Sequence, residues 1–523
     1  MRRVVWVTAL LAAAGVASGG AAGPTLQAVH PNPVADGDAG EFVVLSVPPG
    51  TDLGEYALAD DETRVGLPNA TTGGRVTVST DPNATRELLD REVYPLSDRL
   101  RLANDGDWLR LVHEGTVVDT LRYRNAPEGE LRVAQRGWRP LGATDRPVVR
   151  AGPGQVTAFA LPDAPEVPVN HLRAAEERIL LAGYTLSSRR VADALVAAHG
   201  RNVSVRVLVD ADPVGGMTRR QANILDRLHR AGLEVRAIGG VRARYAFHHA
   251  KYAVVDDRAL VTTENWKPAG VGGRSSRGWG VVTGQSRIVR GLVETFRADA
   301  AWRDARPWRS VRPDGEFANA TAADGRYPSR FDPARVRVEG TRLLVAPDNA
   351  EGNLRGLLAR ANESIAVEQV SIGDRNHPFV RATLAAARRG VRVRILLSGA
   401  WYAREDNERL VSWLNERADS EGLPLEARIA DPRGRFEKIH AKAILVDGER
   451  VALGSLNWNN HSLRENREVV LVLEGEAVGG YYRRVFAADW HASGRTVPVG
   501  VAAAVALAAA AVLLRARSVR FEP

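Results

Sequence analysis

One order of elements is written twice in this chain, and that repetition constrains the fold more than any other feature. Residues 178–186 read as a strand, 190–199 as a helix, 203–209 as a strand and 218–231 as a helix, followed by strands at 233–238, 252–255 and 259–263. The order recurs with a strand at 364–370, a helix at 378–389, a strand at 391–397, a helix at 405–417 and strands at 425–429, 443–446 and 450–453. Each copy closes on a helical segment, Phe296-Arg297-Ala298-Asp299-Ala300-Ala301-Trp302 and Phe486-Ala487-Ala488-Asp489-Trp490. Strands alternating with helices bury their apolar faces by layering, so the pattern predicts two duplicated α/β lobes. A stretch near 306–340, rich in Pro, Gly, Asp and Arg, reads as the linker between them.

Each copy carries the same spaced side chains. The first reads His249-Ala250-Lys251-Tyr252-Ala253-Val254-Val255-Asp256, the second His440-Ala441-Lys442-Ala443-Ile444-Leu445-Val446-Asp447. On a strand, residues i and i+2 share a face, so His249 points with Lys251 and His440 with Lys442, while Ala250 and Ala441 face the core. Composition sharpens the signal. The net charge is +9, and nearly all the basic residues are Arg; the only lysines are Lys251, Lys267, Lys438 and Lys442. A polar turn follows in each copy, Thr262-Thr263-Glu264-Asn265-Trp266 and Gly454-Ser455-Leu456-Asn457-Trp458.

If the copies face one another about a pseudo-twofold axis, two His, two Lys and two Asn converge on one pocket. Those groups suit a phosphodiester. Lysine ammonium groups meet non-bridging oxygens, Asn265 and Asn457 add neutral donors, and Ser455 or Thr263 can add a hydroxyl. One imidazole attacks phosphorus while the other protonates the leaving oxygen and then activates water. Fixed cations meet the transition-state charge, so the chemistry calls for no metal and no cofactor. The absence of cysteine excludes thiol catalysis and thiolate metal sites.

The paired motifs resemble those of the phospholipase D superfamily over about residues 169–493. The resemblance implies two α/β lobes sharing one site, metal-independent cleavage through a phosphohistidine, and site residues His249, Lys251, Asp256, His440, Lys442 and Asp447. It implies a structural part for the two aspartates. The family often carries a Glu that bonds the motif His. Here Glu468, in Arg464-Glu465-Asn466-Arg467-Glu468-Val469-Val470, fits that place, whereas Arg277-Gly278-Trp279-Gly280-Val281-Val282 has Gly280 there. An adjacent carboxylate favours the imidazolium, so His440 is expected to pair with Glu468 as the general acid, leaving His249 as the nucleophile. His248 is read as a bystander, Lys438 as a solvated lysine, and Trp266 and Trp458 as core residues.

Residues 24–152 hold short alternating apolar stretches at 42–47, 75–79, 100–102, 108–112 and 117–123, separated by Gly, Pro, Asn and Asp. That spacing predicts a small immunoglobulin-like β-sandwich. The phrases Val29-His30-Pro31-Asn32-Pro33, Glu41-Phe42-Val43-Val44-Leu45 and Leu53-Gly54-Glu55-Tyr56-Ala57-Leu58-Ala59-Asp60 resemble the lamin-tail domain, and no catalytic grouping is visible there. A Pro-rich bridge at 161–168 marks the expected boundary, with lobes at 169–305 and 341–493.

The ends carry their own signals. Met1-Arg2-Arg3, an apolar run and small residues up to about residue 23 read as a secretory signal. Residues 497–514 carry no charge, and Arg515, Arg517 and Arg520 follow, as a single membrane-spanning helix with a cytoplasmic basic flank would. The expectation is a membrane-anchored phospholipase D-type hydrolase with its lobes outside the cell, acting on phospholipid head groups. The alternatives are an anchored nuclease using the same chemistry, favoured by the basic balance, and an inactive surface binding protein. Oligomeric state is left open.

Overall fold

The computed structural model describes residues 23–493 apart from 34–36, 38, 90 and 241–242; both terminal signals lie outside the described residues. Among the described residues no helix is long and apolar enough to cross a membrane. The chain divides into two compact units at Arg139/Pro140.

The first unit is built from strands that pair antiparallel, except that Thr71–Ser79 and Val93–Pro95 run parallel. One sheet runs Gly137–Pro140, Glu130–Val133, Thr25–His30, Phe42–Asp52, Thr71–Ser79, Val93–Pro95; the other runs Arg64–Gly66, Tyr56–Ala59, Gly106–His113, Thr116–Arg124. Val29, Leu45, Val78, Leu58, Leu109 and Leu111 fill the core between them. Residues 100–102 are not a strand, although Leu100 and Leu102 are buried in that core. His30 is buried against the Glu130 carbonyl and His113 stacks on Tyr56, both structural arrangements.

The second unit holds the duplicated lobes. In lobe 1 the parallel strands Arg178–Gly183, Ser204–Asp210 and Glu234–Ile238 continue through antiparallel Tyr252–Val255, Arg258–Thr262 and Ser276–Thr283. Lobe 2 repeats this with Ser364–Gln369, Arg392–Leu397, Leu425–Ile429, then Lys442–Val446, Arg450–Gly454 and Glu468–Glu474. Helix Arg219–Arg230 starts where expected because the Thr218 hydroxyl caps the Gln221 amide. The two sheets share one apolar core that includes Ala250, Tyr252, Trp279, Ala441, Ala443 and Leu453. Each closing helix reaches toward the opposite lobe: in Glu476–Ala492, Tyr482 stacks on Trp279 and donates to the Gly280 carbonyl at 2.6 Å.

The expected boundary at 152–169 moves. Strand Val149–Ala151 pairs with Gly340–Ala346 of lobe 2, and Gly154–Leu161 pairs with Ser276–Thr283 of lobe 1. The proline bridge at 161–168 therefore lies inside the second unit. The linker stretch contributes Ala334–Val338 to the lobe 1 sheet through its pairing with Gly154–Leu161.

Buried ion pairs tie the lobes together in a twofold pattern. Arg467 of lobe 2 meets Asp299 of the lobe 1 closing helix at 3.1 Å and Asp348 at 2.9 Å, and the same guanidinium donates to the Tyr245 hydroxyl. Arg277 of lobe 1 meets Asp489 of the lobe 2 closing helix at 2.7 Å, with Asp163 on its other side. All four of the arginine and closing-helix aspartate side chains are fully buried. Removing one partner strands the other charge in a dry interior. The substitution Arg467→Met is thus expected to cost about 3–5 kcal/mol in chemical denaturation of the second unit, and a loss under about 1 kcal/mol would contradict this account.

Candidate active site

The two motif segments cross between lobes. The His249 amide donates to the Arg467 carbonyl at 3.0 Å, and the His440 amide to the Arg277 carbonyl at 2.9 Å. Lys438–Ile439 runs parallel to Ser276–Arg277 as a short ladder. Each histidine is therefore held at the other lobe's buried arginine, beside the start of strand Glu468–Glu474 or Ser276–Thr283, which brings both imidazoles to one site between the lobes.

This crossing overturns the expected pairing of Glu468 with His440. His249 Nδ1 donates to Glu468 Oε1 at 2.9 Å and Oε2 at 3.0 Å. The physical reason is the register: Arg467 both accepts from the His249 amide and donates its own amide to Phe247, so the next residue, Glu468, faces the lobe 1 histidine. His440 Nδ1 lies 3.2 Å from the Thr263 carbonyl oxygen and 3.3 Å from Glu264 Oε2. Each imidazole thus meets a carboxylate from the opposite lobe.

Glu264 is the residue that the sequence reading missed. Strand pairing matches Thr262 with Gly280 and Gly454 with Val470, so the counterpart of Glu468 is Gly278, not Gly280. A Cβ on Gly278 would lie 2.3 Å from Glu264 Cγ, whereas one on Gly280 would strike the Phe159 ring. Lobe 1 has moved its carboxylate from 278 to 264, and lobe 2 holds Leu456 where Glu264 stands. The signal was visible as a Glu facing Leu in otherwise matching turns, coupled to a Gly facing a Glu.

The lysines complete the pocket. Lys251 Nζ donates to the His249 carbonyl at 2.6 Å; Lys442 Nζ donates to the His440 carbonyl at 2.8 Å and lies 3.4 Å from His440 Nε2. The Tyr184 ring packs edge-on against His249 and receives Lys251 Nζ at 5.3 Å from its centre. Asp256 and Asp447 stand at the far ends of their strands. Asp256 accepts from the amides of Glu176, Glu177 and Arg178, and Asp447 from those of Asn362, Glu363 and Ser364. Both pin the start of a central strand, as the resemblance implied, and neither touches the pocket groups. The Thr263 hydroxyl accepts from the Trp279 amide at 3.0 Å and Ser455 from Val469 at 2.9 Å, so both are committed to the sheets instead of a ligand. Asn265 and Asn457 keep buried side-chain oxygens without a hydrogen-bond partner. Trp266 and Trp458 are buried in the lobe cores, and His248 is buried 3.3 Å from Asp299.

Burial dominates the titration of these groups. It pushes the His249 imidazole down to about 4, with Glu468 opposing and Lys251 adding to the fall. His440 is also pushed well down, first by burial and then by Lys442 and Lys267. Glu468 resists the upward push of burial because His249 and Lys251 hold it below the ordinary carboxylate value. Glu264 behaves oppositely: burial raises it to about 7 against the pull of Lys442, Lys267, Lys251 and Lys438. Burial lowers Lys442 to about 8, against Glu264 and Glu468. The arrangement therefore offers one imidazole with Nδ1–H fixed on an ionised carboxylate and Nε2 free, and a second that shares its surroundings with a carboxyl able to hold a proton near neutrality.

A family model described as cardiolipin synthase, PLD-like domain, matches residues 169–300 and 354–490. Cardiolipin synthase A of Citrobacter koseri is 34% identical over 102 residues, 20% of either chain, and that of Cronobacter sakazakii is 34% identical over 101 residues, 19% of either chain. The chain spans about a fifth of the length of these curated relatives. Among solved structures, phosphatidylserine synthase of Haemophilus influenzae aligns at 13% identity and a TM-score of 0.48, covering 63% of this chain and 84% of that one. Nuc, a phospholipase D family member of Salmonella typhimurium, aligns at 20% identity and a TM-score of 0.27, covering 30% and 97%.

Proposed function

The chain belongs to the cardiolipin synthase, phospholipase D-like domain family, and from that premise we propose that it cleaves a phospholipid phosphodiester at the head-group side and passes the phosphatidyl group to water or an alcohol. One observation carries the reading: two imidazoles, each facing a carboxylate from the opposite lobe, meet beside two buried ammonium groups. His249 Nε2 attacks phosphorus, forming an N–P bond as the P–O bond to the head group breaks. His440 gives the leaving oxygen its proton, then takes one from the acceptor hydroxyl, whose oxygen forms the new P–O bond as the N–P bond breaks. Lys251 and Lys442 hold the non-bridging oxygens. With Glu468 on His249 and not on His440, the choice of His249 as nucleophile takes a new ground, the Nδ1–H···Glu468 bond that turns Nε2 toward the substrate.

Exposed apolar tips support a lipid over a nucleic acid. Val214 and Trp401, 78% and 87% exposed, follow the C-terminal ends of strands Ser204–Asp210 and Arg392–Leu397. The Val214 amide is bonded to the Tyr184 hydroxyl, and Tyr402 faces Lys438 at 5.3 Å. The aliphatic Val214 tip gains by entering a bilayer interface and has no face for base stacking, whereas the Trp401 indole suits either surface, so the preference for a lipid rests on Val214. Turnover of phosphatidylglycerol vesicles, with no cleavage of single-stranded oligonucleotide under the same conditions, is the expected result; oligonucleotide cleavage alone would replace the lipid reading with the nuclease one.

The reaction should also be pH-dependent in a defined direction. His249 must be neutral to attack, so kcat/KM on a soluble diester rises as pH passes its value of about 4. Above about 7 Glu264 gives up the proton it holds near His440, and above about 8 Lys442 loses its charge. The profile should therefore be level from about pH 5 to 7 and fall beyond it. A rate still rising at pH 9 would contradict the roles given to His440 and Lys442.

A further inference from the structure

We propose that lobe 2 carries a second ligand site, an arginine-lined cleft at the end of the lobe remote from the two imidazoles, and that it takes a dianionic phosphate monoester. The site does not depend on the reaction proposed above.

The cleft follows from strand register. Arg150 and Arg342 stand directly opposite one another on the paired strands Val149–Ala151 and Gly340–Ala346. Gly340, two residues before Arg342, faces Glu474, and Glu474 faces Arg450. These positions share the sheet face that carries Val472 and Ala452 into the outer core of the lobe. Arg360 caps the C-terminus of helix Ala350–Ala359 and adds a fourth guanidinium. Together with Asn362 these side chains line an open cleft of about 610 Å³.

The cleft holds more positive charge than the protein offsets. Like charges directly opposite on neighbouring strands oppose folding, and Arg150 and Arg342 are such a pair. Glu474 meets Arg342 at 3.1 Å and Asp447 meets Arg450 at 3.2 Å. Arg150 and Arg360 have no ion-pair partner among the described residues. The Arg342 side chain is only 14% exposed, and its Nε–H is buried without a hydrogen-bond partner. Two of the four guanidiniums are therefore left without a counter-charge, beside a third whose donors are not all met.

The duplication supplies an internal comparison. Thr157 pairs with Val282 in lobe 1 as Arg342 pairs with Val472 in lobe 2. Asp256 gathers the amides of Glu176, Glu177 and Arg178 as Asp447 gathers those of Asn362, Glu363 and Ser364. Lobe 1 thus has Thr157 at the place of Arg342, Glu176 at the place of Asn362, and Ala174 as the helix cap at the place of Arg360. Its own cleft there is lined by four carboxylates, Glu176, Glu177, Asp256 and Asp257, against Arg178 and Arg258. The shared fold therefore does not require the basic lining; all three exchanges shift the lobe 2 cleft toward positive charge. Glu474, where lobe 1 has Gly284, is the exchange in the other direction, and its carboxylate holds Arg342 in place.

Charge and size name the ligand class. Guanidinium forks pair bidentately with phosphate oxygens, and two uncompensated charges match a monoester dianion better than a singly charged diester. The cleft is larger than a bare phosphate and lies within the range of about 300–1,000 Å³ usual for small-molecule sites, so the phosphate carries an organic body. The reaction pocket lies elsewhere. Lys442 opens strand Lys442–Val446, and Arg450 follows the turn beyond its other end, roughly 13 Å along the strand.

The test is calorimetric titration of the full chain with phenyl phosphate at pH 8, where a monoester is close to doubly charged. The reaction pocket can take the same anion, so the measure is the difference between wild type and Arg150→Gln/Arg360→Gln. That variant removes the two unpaired guanidiniums and strands no carboxylate; a denaturation midpoint no lower than wild type in phosphate-free buffer verifies its fold. Wild type should show a class of sites that the variant lacks or fills at least about 10-fold more weakly. Asn362→Glu, which copies Glu176 of lobe 1, should weaken the same class, and His249→Asn should leave it intact. Diethyl phosphate should bind this class at least about 10-fold more weakly than phenyl phosphate. Cosedimentation with phosphatidic acid vesicles separates the two sources of a phosphate monoester: arginine-dependent binding to the vesicles alone would assign the site to a lipid head group, and arginine-dependent binding of phenyl phosphate to a soluble ligand. Wild type and both cleft variants that bind phenyl phosphate and the vesicles equally would overturn the site, as would a diester bound as tightly as the monoester.

Discussion

Substituting His249→Asn is expected to lower kcat/KM by about 10⁴-fold or more, because it removes the atom that forms the covalent bond. The counterpart His440→Asn should fail differently. With bis(p-nitrophenyl) phosphate the leaving phenolate departs without a proton, so the first half-reaction no longer needs His440. The second half-reaction still needs it to activate water. His440→Asn should therefore release nitrophenolate in a burst matching the enzyme concentration and then stall with a phosphoryl group on His249. His249→Asn should show no burst. Mass spectrometry of acid-sparing digests would locate the adduct. A burst in His249→Asn with the adduct on His440 would reverse the roles. The asymmetry comes from the carboxylates: Glu468 is held ionised and fixes the His249 Nδ1–H, whereas Glu264 is raised to about 7 and keeps a proton near His440.

The second large effect concerns Glu264. Losing a carboxylate that orients a reacting imidazole costs on the order of 10²–10⁴ in turnover, so Glu264→Leu is expected to fall in that range. Gly278→Glu should also be nearly inactive, because its Cβ would lie 2.3 Å from Glu264 Cγ. Combined, the two changes reproduce the arrangement of lobe 2, where Leu456 and Glu468 occupy the matching places. The double variant Glu264→Leu/Gly278→Glu should therefore recover to within about tenfold of wild type, a strongly non-additive outcome for residues in contact. Wild-type activity in Glu264→Leu, or a double variant no better than the singles, would show that Glu264 does not serve His440.

Much of the lobe architecture was legible from periodicity. Strands Tyr252–Val255 and Leu425–Ile429 fall where the sequence predicts them, and Thr218 and Ala231 flank their helix as caps. Strand Ser276–Thr283 was not legible, because every residue in it is buried and no alternation survives; Gly278 and Gly280 further disguise it as a turn. Strands Val149–Ala151 and Gly154–Leu161 escaped notice for another reason. Each is completed by partners well over a hundred residues away, so nothing local marks them.

The duplicated motifs alone named both imidazoles, both motif lysines and the structural aspartates, because these depend on i, i+2 geometry within a strand and on a repeat that any reader of the chain can align. Which carboxylate serves which imidazole did not follow from that order. Glu468 meets His249 and Glu264 meets His440 since the lobes exchange backbone hydrogen bonds at Arg467 and Arg277, and a contact between lobes leaves no periodic trace in either. The four lysines show both limits at once: their scarcity is a property of composition, whereas Lys438 and Lys442 reach the lobe 1 carboxylate only because their strand segment pairs with Ser276–Arg277.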